Sequence, residues 1–348
     1  MDPLGQLREA LDDALLSFLA SQRERMAALA VPSASLVDLV EAAVSTGGKR
    51  IRPILCWCAF RAGGGGPSGP EIVQAAASLE LLHTFAILHD DVMDQAVLRR
   101  GQPALHRRLA AERRAAGGGE DADTYGVSVA VLAGDLALVL SDAMFAASGF
   151  PPGTLARAEG ALESMRTSAV AGQYLDLLQA GPAPAPLAEA ALIGHLKTAG
   201  YSVEGPVGVG VALAGAPEQV TRALEGYAVA VGEAFYRADE LLGLFGDPAA
   251  TGKDAESDLR RGKPTALIAD ALARGGGAEV ARRWGDPHAT VEDLVAVREA
   301  VASSGALAAA RSSINAQVDR AIGYLRGAGL LGAEAGDLLA ELAERIRP

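Results

Sequence analysis

Cysteine, aromatic residues and lysine are all scarce in this 348-residue chain, and each shortage excludes something. The two cysteines, in Cys56-Trp57-Cys58, are too few for a disulfide framework or a zinc site, and read as core residues of a reduced, cytoplasmic protein. Aromatics make up only 4%, and alternating Val, Ile, Thr and Tyr runs are rare, which argues against sheet. Lysine occurs four times, at Lys49, Lys197, Lys253 and Lys263, against 27 arginines. The net charge is −12 and no long basic tract exists, so nucleic acid is a poor partner, because phosphate contacts need clustered cations. No apolar run approaches the roughly 18–20 residues that span a bilayer. Asp135 and Asp142 interrupt the best candidate, residues 127–150, so no transmembrane segment is expected. The opening MDPLGQLREALDDALL has no basic segment leading into an apolar core, and no signal peptide is read there.

What the chain does contain is helical patterning. Half the residues are apolar and 21% are charged, a globular balance, and the length allows a large core. Residues 7–30, 70–92 and 336–348 repeat apolar positions every three or four places. The breaks at 63–70, 115–124, 181–186, 246–251 and 275–277 are short and rich in Gly or Pro, so they read as helix connections rather than domain linkers. The expected architecture is all-α, one large helical domain over residues 1–348.

The sharpest local feature is His89-Asp90-Asp91-Val92-Met93-Asp94, at the end of an apolar helix. Asp90 and Asp94 are four apart and share one helix face, with nothing basic on the turn between them. Carboxylates after the apolar run 79–88 would be costly to bury unpaired. Two readings stand: a solvated helix end, or a site for a hard cation such as Mg²⁺, which takes oxygen ligands and is commonly shared with substrate phosphates. Arg99-Arg100-Gly101 follows, and cations beside metal-binding carboxylates suit a phosphorylated ligand held from both sides. A second acidic segment, residues 232–247, again breaks an apolar helix with Asp239 and Glu240 and ends at Gly246-Asp247; alone it has an ordinary capping explanation. All four lysines sit in punctuation marked by glycine or threonine, and lysine suits a diphosphate that moves, being a compact charge on a flexible stem.

Taken in order, GGKRIRP (47–53), ELLHTFAILHDDVMD with RRG (80–101), GQYLDL (172–177), KTAGYS (197–202), GEAFYRADELLGLFGD (232–247), TGK (251–253) and SDLRRGKPT (257–265) resemble the polyprenyl synthetase family, the trans-isoprenyl diphosphate synthases. The motif-bearing core spans about residues 45–270. The resemblance implies helices around a deep central cavity, a homodimer, and a Mg²⁺-dependent condensation of isopentenyl diphosphate with an allylic prenyl diphosphate, with three Mg²⁺ per site when substrate is bound.

By position, the resemblance makes Asp90, Asp94 and Asp239 the metal ligands and, with Arg99 and Lys197, the catalytic set. Lys49, Arg52 and His83, with Arg100 beside them, match the isopentenyl diphosphate site. Arg99, Lys197, Thr198, Lys253 and Lys263 match positions that hold the allylic diphosphate. His89 is left as structural; Gln173 and Asp176, one turn apart, face the cavity, and Asp176 could equally make a polar helix contact. The family's second motif usually begins F-Q-x-x-D-D and often ends in a third aspartate, whereas Tyr236, Glu240 and Gly243 stand here. Phe85 and Ala86, five and four residues before Asp90, resemble the chain-length pattern of bacterial twenty-carbon, geranylgeranyl-type synthases: one aromatic with a small neighbour. Two other functions remain open. A terpene cyclase on the same fold would have no use for the isopentenyl diphosphate set, and a weakly active regulatory subunit would fit the altered second motif.

Overall fold

The computed structural model describes residues 3–181, 183, 185–246 and 255–348. Its long helices follow the apolar spacing. Helix α1 (Pro3–Leu29) buries Leu4, Leu7, Leu11, Leu15 and Leu19, a stripe at intervals of three and four. After a short 3₁₀ turn, α2 (Ala34–Ser45) buries Val37, Val40 and Val44 in the same way. Helix α3 (Ile51–Ala62) buries eight consecutive residues from Pro53 to Phe60, including both cysteines. It is covered on all sides, and burial pushes both thiol pKa values up, so Cys56 and Cys58 are protonated core residues.

Helix α4 (Pro70–Met93) is the axial element. Ala75 to Leu82 are all buried, and the helix packs along α6 (Ala122–Ala146) and against α3 and α1. A two-stranded antiparallel ribbon, Leu98–Arg99 with Gln102–Pro103, leads from α4 into α5 (Leu105–Ala115), and is the only sheet among the described residues. Helix α7 (Pro152–Gln179) follows. Then come α8 (Leu187–Gly194), a π-helical stretch (His195–Glu204) and α9 (Gly205–Ala214), in one continuous run. Helix α10 (Glu218–Phe245) precedes α11 (Ala255–Arg261), α12 (Ala266–Ala271), α13 (Gly277–Arg283), α14 (Val291–Ser303), α15 (Ala306–Gly327) and α16 (Glu334–Glu344). The expected break near 275 is a kink at Gly275, whose φ is 98°, not a loop.

One hydrophobic cluster runs from Leu4 of α1 to Ala343 of α16. Helices α4 and α6 do contain 18-residue stretches long and apolar enough to cross a membrane by length and composition. In this fold 61% of the α4 stretch and 44% of the α6 stretch are buried inside the protein, so core packing accounts for much of that apolarity. The N-terminal turn of α3 is fixed by Arg50, which sits in the left-handed region at φ 50°. Its buried guanidinium donates to Asp12 and Glu80 at 2.7 Å each and to the Val44 carbonyl at 3.0 Å, tying α1, α2 and α4 to the glycine-rich turn.

Candidate active site

The last turn of α4 gathers charge. Asp90 Oδ1 accepts from Lys197 Nζ at 3.1 Å, and its Oδ2 lies 3.4 Å from Arg99 Nη2. Burial alone would raise the Asp90 pKa, but Lys197, Lys263 and Arg99 together hold it down at about 2. Asp91 is buried and receives both Nε, at 2.8 Å, and Nη2 of Arg99. It is therefore the anchor that aims Arg99. Asp94, also buried, pairs with Lys263 at 3.1 Å and with Arg261 at 2.5 Å, and Arg261 also donates to the Asp94 carbonyl at 2.9 Å.

Lys197 reaches this cluster because the π-helical stretch carrying it is pressed onto α7. A Cβ at Gly172 would meet the Lys197 backbone N at 2.5 Å, so only glycine allows that approach. Asp176, one turn further along α7, holds Lys197 Nζ at 2.5 Å. Asp176 thus makes a polar contact between α7 and the π-helical stretch, at the edge of the charged cluster. Gln173 donates to Met93 Sδ at 3.6 Å. Burial lowers the Lys197 pKa, but Asp90 and Asp176 more than reverse this, and the ammonium stays charged.

A second group lies one to two turns back along α4. His83 Nδ1 is 3.2 Å from Tyr201 Oη, and the Arg52 guanidinium stacks over the Tyr201 ring at 4.6 Å while donating to Ser202 Oγ at 2.6 Å. Arg52 Nε is buried without a hydrogen-bond partner, a donor that an anion would satisfy. Burial drives the His83 pKa well below its ordinary value, helped by Arg52, Arg100, Arg99 and Arg50, so the imidazole is neutral. Arg100, at φ 52°, donates to Thr46 at 3.2 Å. A cavity of about 190 Å³ between α2, α4, the ribbon and α5 exposes His83, Arg99 and Arg100. A larger one, about 550 Å³, opens elsewhere, between α8, α10, α12 and α15; Glu240 lines it, but Asp90, Asp94 and Lys197 do not. The convergent charges thus lie outside the larger space.

The second acidic motif departs from expectation. Among the described residues, no three carboxylate, thiol or imidazole groups are placed to hold a metal ion by themselves, so the three expected ligands do not form a ready-made cluster. Asp239 is exposed near the end of α10. Glu240 turns onto the start of α12, where its two oxygens accept from Ala266 N and Leu267 N at 3.0 Å each. Burial pushes its pKa up to about 7, against those two N–H groups, which lower it. Tyr236 is buried with Ala190, Ala199 and Ala266 in a small separate core, its ring against Gly194. Tyr236 and Glu240 thus serve packing and capping.

Among the other expected site residues, Lys49 is exposed and Thr198 half-buried, and Lys253 lies outside the described residues, as does Asp247. Phe85 meets the His89 ring edge to face at 4.8 Å, beside Ala86. His89 Nε2 lies 3.1 Å from the Val131 carbonyl, and its ring fills the space left by Gly134, where a Cβ would come within 2.2 Å. His89 thus packs α4 against α6. The motifs contain Arg50, Arg261, Tyr201 and Ser202, but local pattern assigns none of them a role. Tyr201 and Ser202 stood inside a quoted motif, but nothing in their spacing shows that they face Arg52.

A helical fold, with carboxylates and cations converging beside a buried, anion-ready guanidinium, defines an enzyme that handles phosphorylated substrates. The polyprenyl synthetase model matches residues 33–301, and the chain belongs to that family, whose members are prenyltransferases of isoprenoid synthesis. The chain is 31% identical to the geranylfarnesyl diphosphate synthase of Aeropyrum pernix over 97% of its own length and 98% of that protein's. It is similar to the crystal structure of geranylgeranyl pyrophosphate synthase from Corynebacterium glutamicum, complexed with isoprenyl diphosphate and magnesium. That likeness has a TM-score of 0.91 and 33% identity, covering 100% of this chain and 99% of that one. A decaprenyl diphosphate synthase from Rhodobacter capsulatus follows at TM-score 0.77 and 28% identity, covering 99% and 98%. The relatives' names differ in prenyl length, so length must be argued from this chain's own residues.

Proposed function

We propose that this chain is a geranylgeranyl diphosphate synthase, joining isopentenyl diphosphate to allylic prenyl diphosphates until a twenty-carbon chain is reached. The observation that carries the reading is the interlock of Asp90, Asp94, Lys197, Lys263 and Arg99 at the end of α4, next to Arg52 and His83. The donor chemistry suits a hard cation: Asp90 and Asp94 offer carboxylate oxygens one helical turn apart, balanced in this structure by Lys197, Arg261 and Lys263. Asp90 and Asp94, with Asp239, would hold Mg²⁺, three ions per site with substrate bound, and the metal would supply positive charge to the departing diphosphate.

The chain's own residues do the rest. Lys197, Arg99 and Lys263 are held beside the acidic face, where charge grows on the leaving group, so they stabilise the transition state more than the ground state. Lys49, Arg52 and Arg100, with neutral His83, would hold the isopentenyl diphosphate, and Thr198 and Lys253 would complete the allylic site. The apolar residues of α4 would help to keep water from the allylic cation. Phe85 would close the channel at twenty carbons. A homodimer would use the exposed stripe of Tyr125, Leu132 and Val139 along α6, and the reduced cysteines suit a cytoplasmic enzyme.

The test is to incubate the purified chain with Mg²⁺, isopentenyl diphosphate and primers of five, ten and fifteen carbons. Accumulation of the twenty-carbon diphosphate is expected. No elongation of any primer would falsify the synthase reading, and hydrocarbon released from geranylgeranyl diphosphate would favour a cyclase.

A further inference from the structure

Neighbouring residues on an α-helix point about 100° apart, so the two carboxylates of the second acidic motif leave α10 in different directions. In this chain they diverge: Asp239 is exposed, and Glu240 reaches across to α12. Its extra methylene over aspartate gives the reach, and both carboxylate oxygens are used, one for each of the first two N–H groups of α12. The third, that of Ile268, donates to Thr265 Oγ1 at 3.3 Å. Glu240 and Thr265 together satisfy the start of this helix, which would otherwise leave buried donors open.

What precedes α12 is the Gly262-Lys263-Pro264-Thr265 turn. It is fixed from several sides. Gly262 has φ +62° and packs on Gly181, where a Cβ would come within 2.0 Å of the carbonyl oxygen. The Lys263 N–H donates to the Asp258 carbonyl at 3.2 Å, and its own carbonyl accepts from Trp284 Nε1 at 3.0 Å. The Lys263 ammonium then projects to Asp94, at 3.1 Å, and to Asp258, at 2.9 Å. Only Pro264 and Thr265 separate Lys263 from the residues that Glu240 holds, and proline leaves that stretch little freedom.

We infer that Glu240 is a positioning residue for Lys263: through the N-terminus of α12 it sets where that ammonium meets the allylic diphosphate, and it is not itself a metal ligand. The inference rests on the proposed function, since it assigns Lys263 to the diphosphate. It also explains why glutamate suits this place, because aspartate would be one methylene short of bridging both N–H groups.

The experiment is a double-mutant cycle with Glu240→Ala and Lys263→Ala, reading primer KM, kcat and the Mg²⁺ concentration for half-maximal rate at saturating primer. Glu240→Ala is expected to raise primer KM on the order of tenfold, leave the Mg²⁺ dependence within about twofold, and add little once Lys263 is already alanine. Glu240→Asp, which keeps the charge and a carboxylate in the motif, should share the KM defect and serves if the alanine variant fails to fold. A raised Mg²⁺ requirement with unchanged primer KM, full activity in Glu240→Asp, or strictly additive effects in the cycle would each overturn the inference. A wild-type chain that elongates no primer overturns the proposed function and takes this inference with it, whereas an active wild type with an additive cycle overturns the inference alone.

Discussion

Lys197 stands between two carboxylates from different helices, 3.1 Å from Asp90 on α4 and 2.5 Å from Asp176 on α7. Asp90 belongs to the acidic motif, and Asp176 keeps the ammonium in place whatever else binds. Lys197→Met should lower kcat for elongation on the order of 10²–10³-fold, the usual cost of removing a preorganised charge from a developing anion. Asp176→Asn should do less, raising primer KM more than it lowers kcat, because the lysine survives but is aimed less well. Steady-state kinetics on both variants check this; equal loss in the two would mean that Asp176 does more than hold Lys197.

Much of this arrangement was legible in the sequence, and the reasons for the rest are physical. Asp90 and Asp94 share a face by spacing alone, and the scarcity of lysine marked Lys197 and Lys263, both of which meet the acidic motif. Ion pairs between elements far apart in the chain were not legible. Arg50 with Glu80, Arg261 with Asp94, and Arg52 with Tyr201 and Ser202 depend on how helices cross, which local pattern does not encode. Tyr236 and Glu240 read as departures within a site motif, whereas one fills a small core and the other caps a helix. Residues on the same helix a few positions apart served different neighbours.

His83 gives a pH signature. Its folded pKa lies well below the unfolded value of about 6.5, through burial first and then the surrounding arginines. Below about 6.5 the unfolded chain therefore takes up a proton that the folded chain refuses, and stability falls as pH drops toward the folded pKa. A His83→Gln variant should lose less thermal stability than wild type between pH 7 and pH 5. Unfolding curves across that range decide it; a steeper loss in the variant would mean that His83 is charged in the folded protein.

Arg50 and Glu80 form a buried ion pair, each with a side chain about 5–6% exposed. Removing only the cation leaves a carboxylate in the core without its compensating charge, so Arg50→Ala should destabilise the fold by about 3–5 kcal/mol. Replacing both partners with apolar residues should recover a large share of that loss, because no buried charge is then stranded. Denaturant unfolding of the single and double variants measures both, and a double variant no better than Arg50→Ala would show that Asp12 and the Val44 carbonyl carry the stabilisation instead.

The proposed chain-length role of Phe85 would not rest on that ring alone. Its ring rests on His89, and His89 is seated by the Val131 carbonyl and the bare backbone of Gly134. If Phe85 is the floor, Phe85→Ala should shift products beyond twenty carbons, since the space it vacates would lengthen the room for the chain. Gly134→Ala should act indirectly: its Cβ would overlap the His89 ring, costing about 1–3 kcal/mol and tilting the ring on which Phe85 rests. Its products should spread over several lengths rather than move to one longer length, because a displaced support makes a loose floor, not an absent one. Chromatography of the reaction products separates the two outcomes. A single unchanged product from both variants would place the floor on another helix.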